Sequence, residues 1–189
     1  MASAAERLAA NVNFSAFGKA TELKQRIWFT LGALVVYRLG TYLPIPGVDS
    51  AVLAEVFNSA GGAGVLGMFD MFAGGALGRM SIFALNIMPY ISASIIVQLL
   101  TAVLPSFEQM KKDGEAGRKK LNQYTRYGTV ALAAAQAIGL ASGVSSFSGP
   151  NGPAVADPGA IFYISTVVII VGGTMFLMWL GEQVTARGV

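Results

Sequence analysis

Hydrophobic positions in this chain gather into a few long runs separated by polar or charged intervals, with no alternation of strand and helix units. Residues 27–43, 81–104, 124–144 and 160–180 form four such runs. The second carries no formal charge anywhere. At about 1.5 Å per residue it is long enough to span a hydrocarbon core of about 30 Å. Ahead of it lies a shorter apolar piece, Val65-Leu-Gly-Met-Phe-Asp-Met-Phe-Ala73, broken off by Gly74-Gly75 and followed by Gly78 and Arg79. A half-length apolar helix feeding a full-length one is the pattern of a re-entrant segment. Such a segment is tolerated only where its backbone is buried in protein or lines a watery cavity. The pattern predicts an all-α membrane protein: a polytopic helical bundle with a short re-entrant helix and a cavity beside it.

Composition supports that class and narrows the chemistry. Apolar residues make up 54% and charged residues 12% of the chain, about half the charge of a soluble domain. The mean hydropathy is +0.59. Cysteine and histidine are both absent. Their absence removes disulfide frameworks, thiolate or imidazole metal sites, Cys nucleophiles and Ser-His-Asp triads together. No catalytic residue, metal ligand or cofactor site is expected, and the chain does not read as an enzyme.

Charge then orients the spans. Lys19, Lys24 and Arg26 precede the first run, and Lys111, Lys112, Arg118, Lys119, Lys120 and Arg126 cluster after the second. Short Lys/Arg-rich segments stay in the cytoplasm. The expected order is a cytoplasmic tail with a surface helix (1–26), a first span (27–43), an external connection (44–64) and the re-entrant piece (65–78). A second span (81–104), a basic cytoplasmic loop (105–123), a third span (124–144) and an external loop (145–159) follow. A fourth span (160–180) then leads into the cytoplasmic start of a remainder (181–189). Arg38 reads as an interface anchor beside Tyr37 and Tyr42, because a long side chain near a helix end snorkels to the headgroups. Pro44 and Pro46 stop the first helix and Pro105 the second. Gly139 and Gly143 offer close backbone approach in the third. The basic loop could also meet ribosomal RNA or an acidic surface, although orientation alone explains its charges.

Several local patterns are discounted. Gly62-Ala-Gly64-Val-Leu-Gly67 matches a dinucleotide fingerprint but has no strand before it. Asn13-Phe-Ser15 matches a glycosylation acceptor in a segment expected to be cytoplasmic. Lys24 and Arg26 before a short apolar core suggest a signal peptide, but no small-x-small cleavage site follows. In the second span, helical spacing puts Ile87, Ile91, Ser94 and Gln98 on one face, with Ser92 nearby. On periodicity alone, a plain helix interface is the simpler reading of that face.

Five longer motifs narrow the class to a family. Leu43-Pro-Ile-Pro-Gly47, Met71-Phe-Ala-Gly-Gly-Ala-Leu77, Ser81-Ile-Phe-Ala-Leu-Asn-Ile-Met-Pro-Tyr-Ile-Ser-Ala-Ser-Ile-Ile96, Gln123-Tyr-Thr-Arg-Tyr-Gly128 and Gly173-Thr-Met-Phe-Leu-Met-Trp-Leu-Gly-Glu-Gln183 closely resemble the bacterial SecY family, the central subunit of the Sec protein-conducting channel. They occur in order over nearly the whole chain. The family's channel has ten spans in two halves, and this chain resembles the first four.

The resemblance implies a passive conduit in the bacterial inner membrane, amino terminus cytoplasmic. It would pass unfolded preproteins across and release membrane proteins sideways into lipid. It implies that Gly67, Met68, Phe69, Asp70, Met71, Phe72, Ala73, Gly74 and Gly75 form a plug that seals the external funnel, with the glycine pair letting it swing aside. Ile87 and Ile91 match positions of an apolar pore ring, which displaces the plain-interface reading. Branched aliphatic side chains close around a passing chain without hydrogen-bonding to it, and exclude ions when it is absent. Ser92, Ser94 and Gln98 would ease the parting of a lateral gate. The implied partners are the SecE and SecG subunits, the SecA ATPase, the ribosome and signal-recognition machinery, signal sequences and membrane lipid. Asn86 stands where the family commonly has glycine. Two other classes, a fragment of a small-solute secondary transporter and a non-conducting assembly or insertase subunit, fit the hydrophobic pattern alone. A transporter usually keeps an ionisable residue within a span, and here Arg38 is the one candidate.

Overall fold

The structure, a computed structural model, describes residues 21–59, 65–149 and 152–188. Residues 1–20 of the tail expected at 1–26, the acceptor pattern at Asn13 and Gly62 to Gly64 of the glycine fingerprint lie outside the described residues, and residues 21–26 open the first helix. The described residues are mostly helical. Its helices are α1 (Thr21–Gly40), α2 (Ser50–Ser59), α3 (Val65–Phe72), α4 (Met88–Val103), α5 (Pro105–Lys112), α6 (Glu115–Ser145) and α7 (Ala160–Arg187). A two-residue antiparallel pair, β1 (Ser148–Gly149) with β2 (Gly152–Pro153), closes the connection between α6 and α7.

The fold divides into two compact units. The first comprises, among the described residues, 21–36 and 180–188. There Arg26 Nη1 donates to the Gly188 carbonyl at 3.3 Å. The second unit, Tyr37–Trp179, holds the candidate site described below.

Packing in the second unit follows a repeat of four. The buried residues of α6 include Thr125, Thr129, Ala133, Ala137 and Ala141; those of α7 include Phe162, Thr166, Ile170, Thr174 and Met178; those of α4 are Pro89, Ala93 and Val97. Residues four apart lie on one helix face, so each helix presents a single ridge. Small residues dominate the α6 ridge, which lets neighbouring backbones come close. Gly139 and Gly143 take no part in this: a Cβ on either would have no described atom within 4 Å. The expected close approach there is replaced by the Thr/Ala ridge on another face of α6.

Helix lengths differ from the sequence reading, and prolines explain most of it. The second span is not helical from residue 81; α4 starts at Met88 with Pro89 in its first turn. Proline lacks the amide that would bond back to residue i−4 and clashes with that carbonyl, so it belongs in a first turn. Residues 73–87 are instead a succession of turns. The segment expected as a basic loop is helical: Pro105 opens α5, where Lys112 Nζ lies 2.6 Å from Glu108 Oε1, and α6 begins at Glu115. The first helix runs Thr21–Gly40 rather than 27–43, and the fourth extends to Arg187. By length and composition α6 and α7 can cross a membrane, and α4 with α5 would make a third span bent by 100°. The 20 residues of α1 include Glu22, Lys24, Arg26 and Arg38, and α1 falls short of that apolarity.

Candidate functional site

The turns at 73–87 are held in place from three directions. Their far end pairs with the extended Leu43-Pro44-Ile45: the Ile45 amide donates to the Met80 carbonyl at 2.9 Å and the Ile82 amide to the Leu43 carbonyl at 3.0 Å. That extended piece exists because two prolines forbid helix, and Pro46-Gly47 then turns the chain, with Gly47 at φ +88° and the Val48 amide reaching the Ile45 carbonyl at 3.4 Å. Asp49 accepts from the Ala51 amide at 2.9 Å and starts α2.

The second hold is aromatic. The Phe83 ring, 3% exposed, stacks on Tyr37 and on Phe176 with centroids 6.0 Å away in both cases. Gly40 and Gly173 make room for it. A Cβ on Gly40 would overlap the Phe83 ring, and one on Gly173 would overlap the Ile82 carbonyl. Phe83 was no candidate in the sequence, because its partners lie 46 and 93 positions away along the chain.

The third hold acts on the exit of α3. Asp70 Oδ1 accepts from the Gly78 amide at 2.8 Å, and the Gly75 amide donates to the Asp70 carbonyl at 2.9 Å. Between them Gly74 and Gly75 adopt φ +64° and +81°, a left-handed pair that side chains disfavour. From α1, the Tyr37 hydroxyl donates to the Ala73 carbonyl at 3.5 Å and Arg38 Nη1 to the Gly74 carbonyl at 3.4 Å. The Ala73 carbonyl also accepts from the Ala76 amide at 3.3 Å, whereas the Gly74 carbonyl takes a charge-assisted bond from the guanidinium. Arg38 therefore does more than anchor α1 at an interface. The Arg79 guanidinium stands 4.5 Å from the centroid of the Tyr42 ring and that of Arg38 5.3 Å from it.

These holds shape a hollow of about 560 Å³ lined by Ala73, Leu77, Ala84, Leu85, Asn86, Ile87, Met88, Ile91, Ser92 and Gln136. It brings the two expected pore-ring residues, Ile87 and Ile91, to Ala73 at the end of the re-entrant piece. Both isoleucines remain about two-fifths exposed, at 40% and 42%. Along α4 they and Ile95 form one stripe, distinct from the packed Pro89/Ala93/Val97 ridge. The bend into this stripe occurs at Asn86, φ +51°. Asparagine is among the few residues with a side chain that tolerate that region, which accounts for its place at a glycine-like position. Met80, at φ +46° and wholly buried, is a second such strained point that the sequence does not reveal.

The three expected gate residues do not act as one group. Ser92 lines the hollow, whereas Gln98 Nε2 donates to Ser94 Oγ at 3.3 Å further along α4. Gln136, contributed by α6, is the polar lining residue that the sequence reading missed. Of the expected plug residues, Gly67 to Phe72 fall in α3, with Met68 and Met71 exposed, and Ala73 to Gly75 fall in the turns. None of the described lining residues is titratable, so the lining is apolar with amide and hydroxyl spots.

Comparison with known proteins places the chain. The SecY family model matches residues 81–189. The chain is 57% identical to "Protein translocase subunit SecY" of Escherichia coli strain K12 over 175 residues, covering 93% of this chain and 39% of that protein. It is 57% identical to the subunit of the same name from Buchnera aphidicola subsp. Acyrthosiphon kondoi, covering 93% of this chain and 49% of that protein. To its namesake from Vibrio cholerae it is 56% identical over 169 residues, or 89% of this chain and 37% of that protein. The chain thus spans less than half the length of these relatives.

Proposed function

The chain belongs to the SecY family, and from that premise we propose that it is the amino-terminal part of a channel that conducts unfolded preproteins across the bacterial inner membrane. The observation that carries this reading is the hollow that joins Ile87 and Ile91 to the exit of the short helix α3. Isoleucines left exposed beside a cavity, with no ionisable group among its lining residues, suit a gasket that must close around any sequence. In this reading α3 and the turn after it are the plug, and α4 carries the pore ring and one side of a lateral gate. The relatives' name, protein translocase subunit, favours the conduit over a small-solute transporter.

Orientation follows from one helix. The basic Arg118, Lys119 and Lys120 lie at the start of α6, and its far end leads into the connection that pairs with the segment after α1, through Val48 with Val155 and the Asp49 amide to the Ala154 carbonyl at 2.9 Å. Thirty-one residues of helix separate the two ends by about 45 Å. Lysine and arginine at one end, and paired connections that carry neither at the other, support a cytoplasmic amino terminus. SecE and SecG complete the channel in this reading, SecA or a ribosome drives chains through it, and neither catalysis nor a cofactor belongs to this part.

The test exploits the absence of cysteine. In the chain continued by its natural downstream sequence, cysteine is placed at Ile87 or, on the opposite face of α4, at Ile96, and a single-cysteine secretory chain is stalled in transit. Disulfide capture at Ile87 and not at Ile96 is expected. Capture at neither, in complexes shown to be assembled and occupied, would overturn the conduit.

A further inference from the structure

We propose that Arg38, Tyr42 and Arg79 are positioning residues that latch the Gly74-Gly75 turn, and so hold the plug shut. The inference rests on the reading of α3 as the plug and adds to it the group that sets its closed state.

Three observations converge on that turn. The first is that α1 reaches two successive carbonyls at the exit of α3, Tyr37 to Ala73 and Arg38 to Gly74. The Gly74 carbonyl lies past the end of α3, and a guanidinium gives it a charge-assisted bond. The second is the Tyr42 ring. Arg79, from the far side of the turn, lies over it at 4.5 Å, and Arg38 approaches it to 5.3 Å while Arg38 Nη2 donates to its hydroxyl at 3.3 Å. One aromatic side chain thereby joins a cation on α1 to a cation on the turn segment. The third is the glycine pair itself. A Cβ on Gly74 would stand 3.4 Å from Arg38 Nη1, and one on Gly75 would stand 3.6 Å from Arg79 Cζ. Each glycine faces one guanidinium, so the pair is the receiving surface of the latch as well as a bend.

The charges explain why the ring is needed. Two guanidiniums on one turn repel each other unless electron density offsets them. Asp70 accepts from the Gly78 amide through Oδ1 and forms no ion pair with either guanidinium among the described residues. What remains is the face of Tyr42 and the carbonyls of the turn. Arg79 Nη1 is buried and has no hydrogen-bond acceptor among the described residues, so its link to the Tyr37–Tyr42 stretch runs through the Tyr42 ring. Such a latch is a set of weak contacts made from one short stretch, Tyr37 to Tyr42. A shift of that end of α1 breaks all of them at once and frees the plug without unfolding it.

The experiment measures ion conductance of the idle channel, full-length and assembled with its partner subunits, in planar bilayers without substrate. Tyr42→Leu and Arg79→Gln are each expected to raise the idle conductance several-fold. Tyr42→Phe, which keeps the ring, is expected to stay near the unaltered channel and also reports that position 42 tolerates change. Deletion of residues 67–73 serves as the reference for an absent plug. A leaky deletion with Tyr42→Leu and Arg79→Gln both closed would overturn the latch and leave the plug reading standing. A closed deletion would overturn the plug reading and the latch with it. Tyr42→Phe leaking as much as Tyr42→Leu would overturn the ring as the joint between the two cations, because only the hydroxyl bond to Arg38 would then matter.

Discussion

The carbonyl oxygen of Ile82 occupies the space where a side chain on Gly173 would begin. This contact seats the turns that precede α4 directly on the backbone of α7, and Phe83 fills the gap beside it between Tyr37 and Phe176. The Ile87/Ile91/Ile95 stripe therefore takes its position from a helix that lies nearly a hundred residues later in the chain.

Gly173→Ala is expected to destabilise the protein by about 1–3 kcal/mol, the usual cost of forcing atoms into a filled space. Gly172→Ala is the control, since a Cβ there meets no described atom within 4 Å. It should be neutral or stabilise by up to about 1 kcal/mol through helix propensity. Thermal unfolding of the two purified variants in detergent checks the pair, and equal unfolding temperatures would contradict the close contact.

Asn86 sits at φ +51° in the bend that leads into the Ile87 stripe. Asn86→Gly should change stability by less than about 1 kcal/mol, whereas Asn86→Val should cost about 1–2 kcal/mol, because a β-branched residue tolerates the left-handed region poorly. The same unfolding measurement decides it. A valine variant as stable as the parent would mean that the bend is absent.

Thr166 is fully buried on the α7 ridge, and its hydroxyl has no partner among the described residues. Thr129 is equally buried but donates to the Thr125 carbonyl at 2.7 Å. An unsatisfied buried polar group costs about 1–3 kcal/mol, and valine keeps the shape without it. Thr166→Val should accordingly raise the unfolding temperature and Thr129→Val should not.

Much of this arrangement is legible in the sequence, and the exceptions have physical causes. Helical class, the break at Gly74-Gly75, the stop at Pro105 and the spacing of Ile87 with Ile91 all follow from local residue types, because proline, glycine and period act over a few positions. The unwinding of residues 81–87 was hidden by an uncharged apolar run, in which hydropathy outweighed the single signal of Pro89. The basic segment reads as a loop from its charge, yet Glu108 and Lys112 are one helical turn apart and support α5. Gly139 and Gly143 have the spacing of a packing motif, but spacing does not say which face of α6 meets a neighbour. Phe83 and the Arg38/Tyr42/Arg79 group depend on residues distant in sequence, which no local pattern encodes.

The three residues proposed for a lateral gate separate into two tests. Ser92 lines the hollow with Ile87, Ile91 and Gln136, so Ser92→Leu adds bulk where a passing chain would run. Ser94 and Gln98 bond to each other on an exposed part of α4, so Gln98→Leu removes a polar spot from a surface without touching the hollow. If the hollow is the path, Ser92→Leu should slow translocation of every substrate, by about tenfold for about 1.4 kcal/mol of added barrier. Gln98→Leu should leave strongly apolar signals unaffected and slow weakly apolar ones, because an all-aliphatic seam parts less readily. Translocation rates of one preprotein carrying a graded series of signal hydrophobicities separate the two. Parallel loss across the series for both variants would show that the three residues share one role, contrary to their separation in the fold.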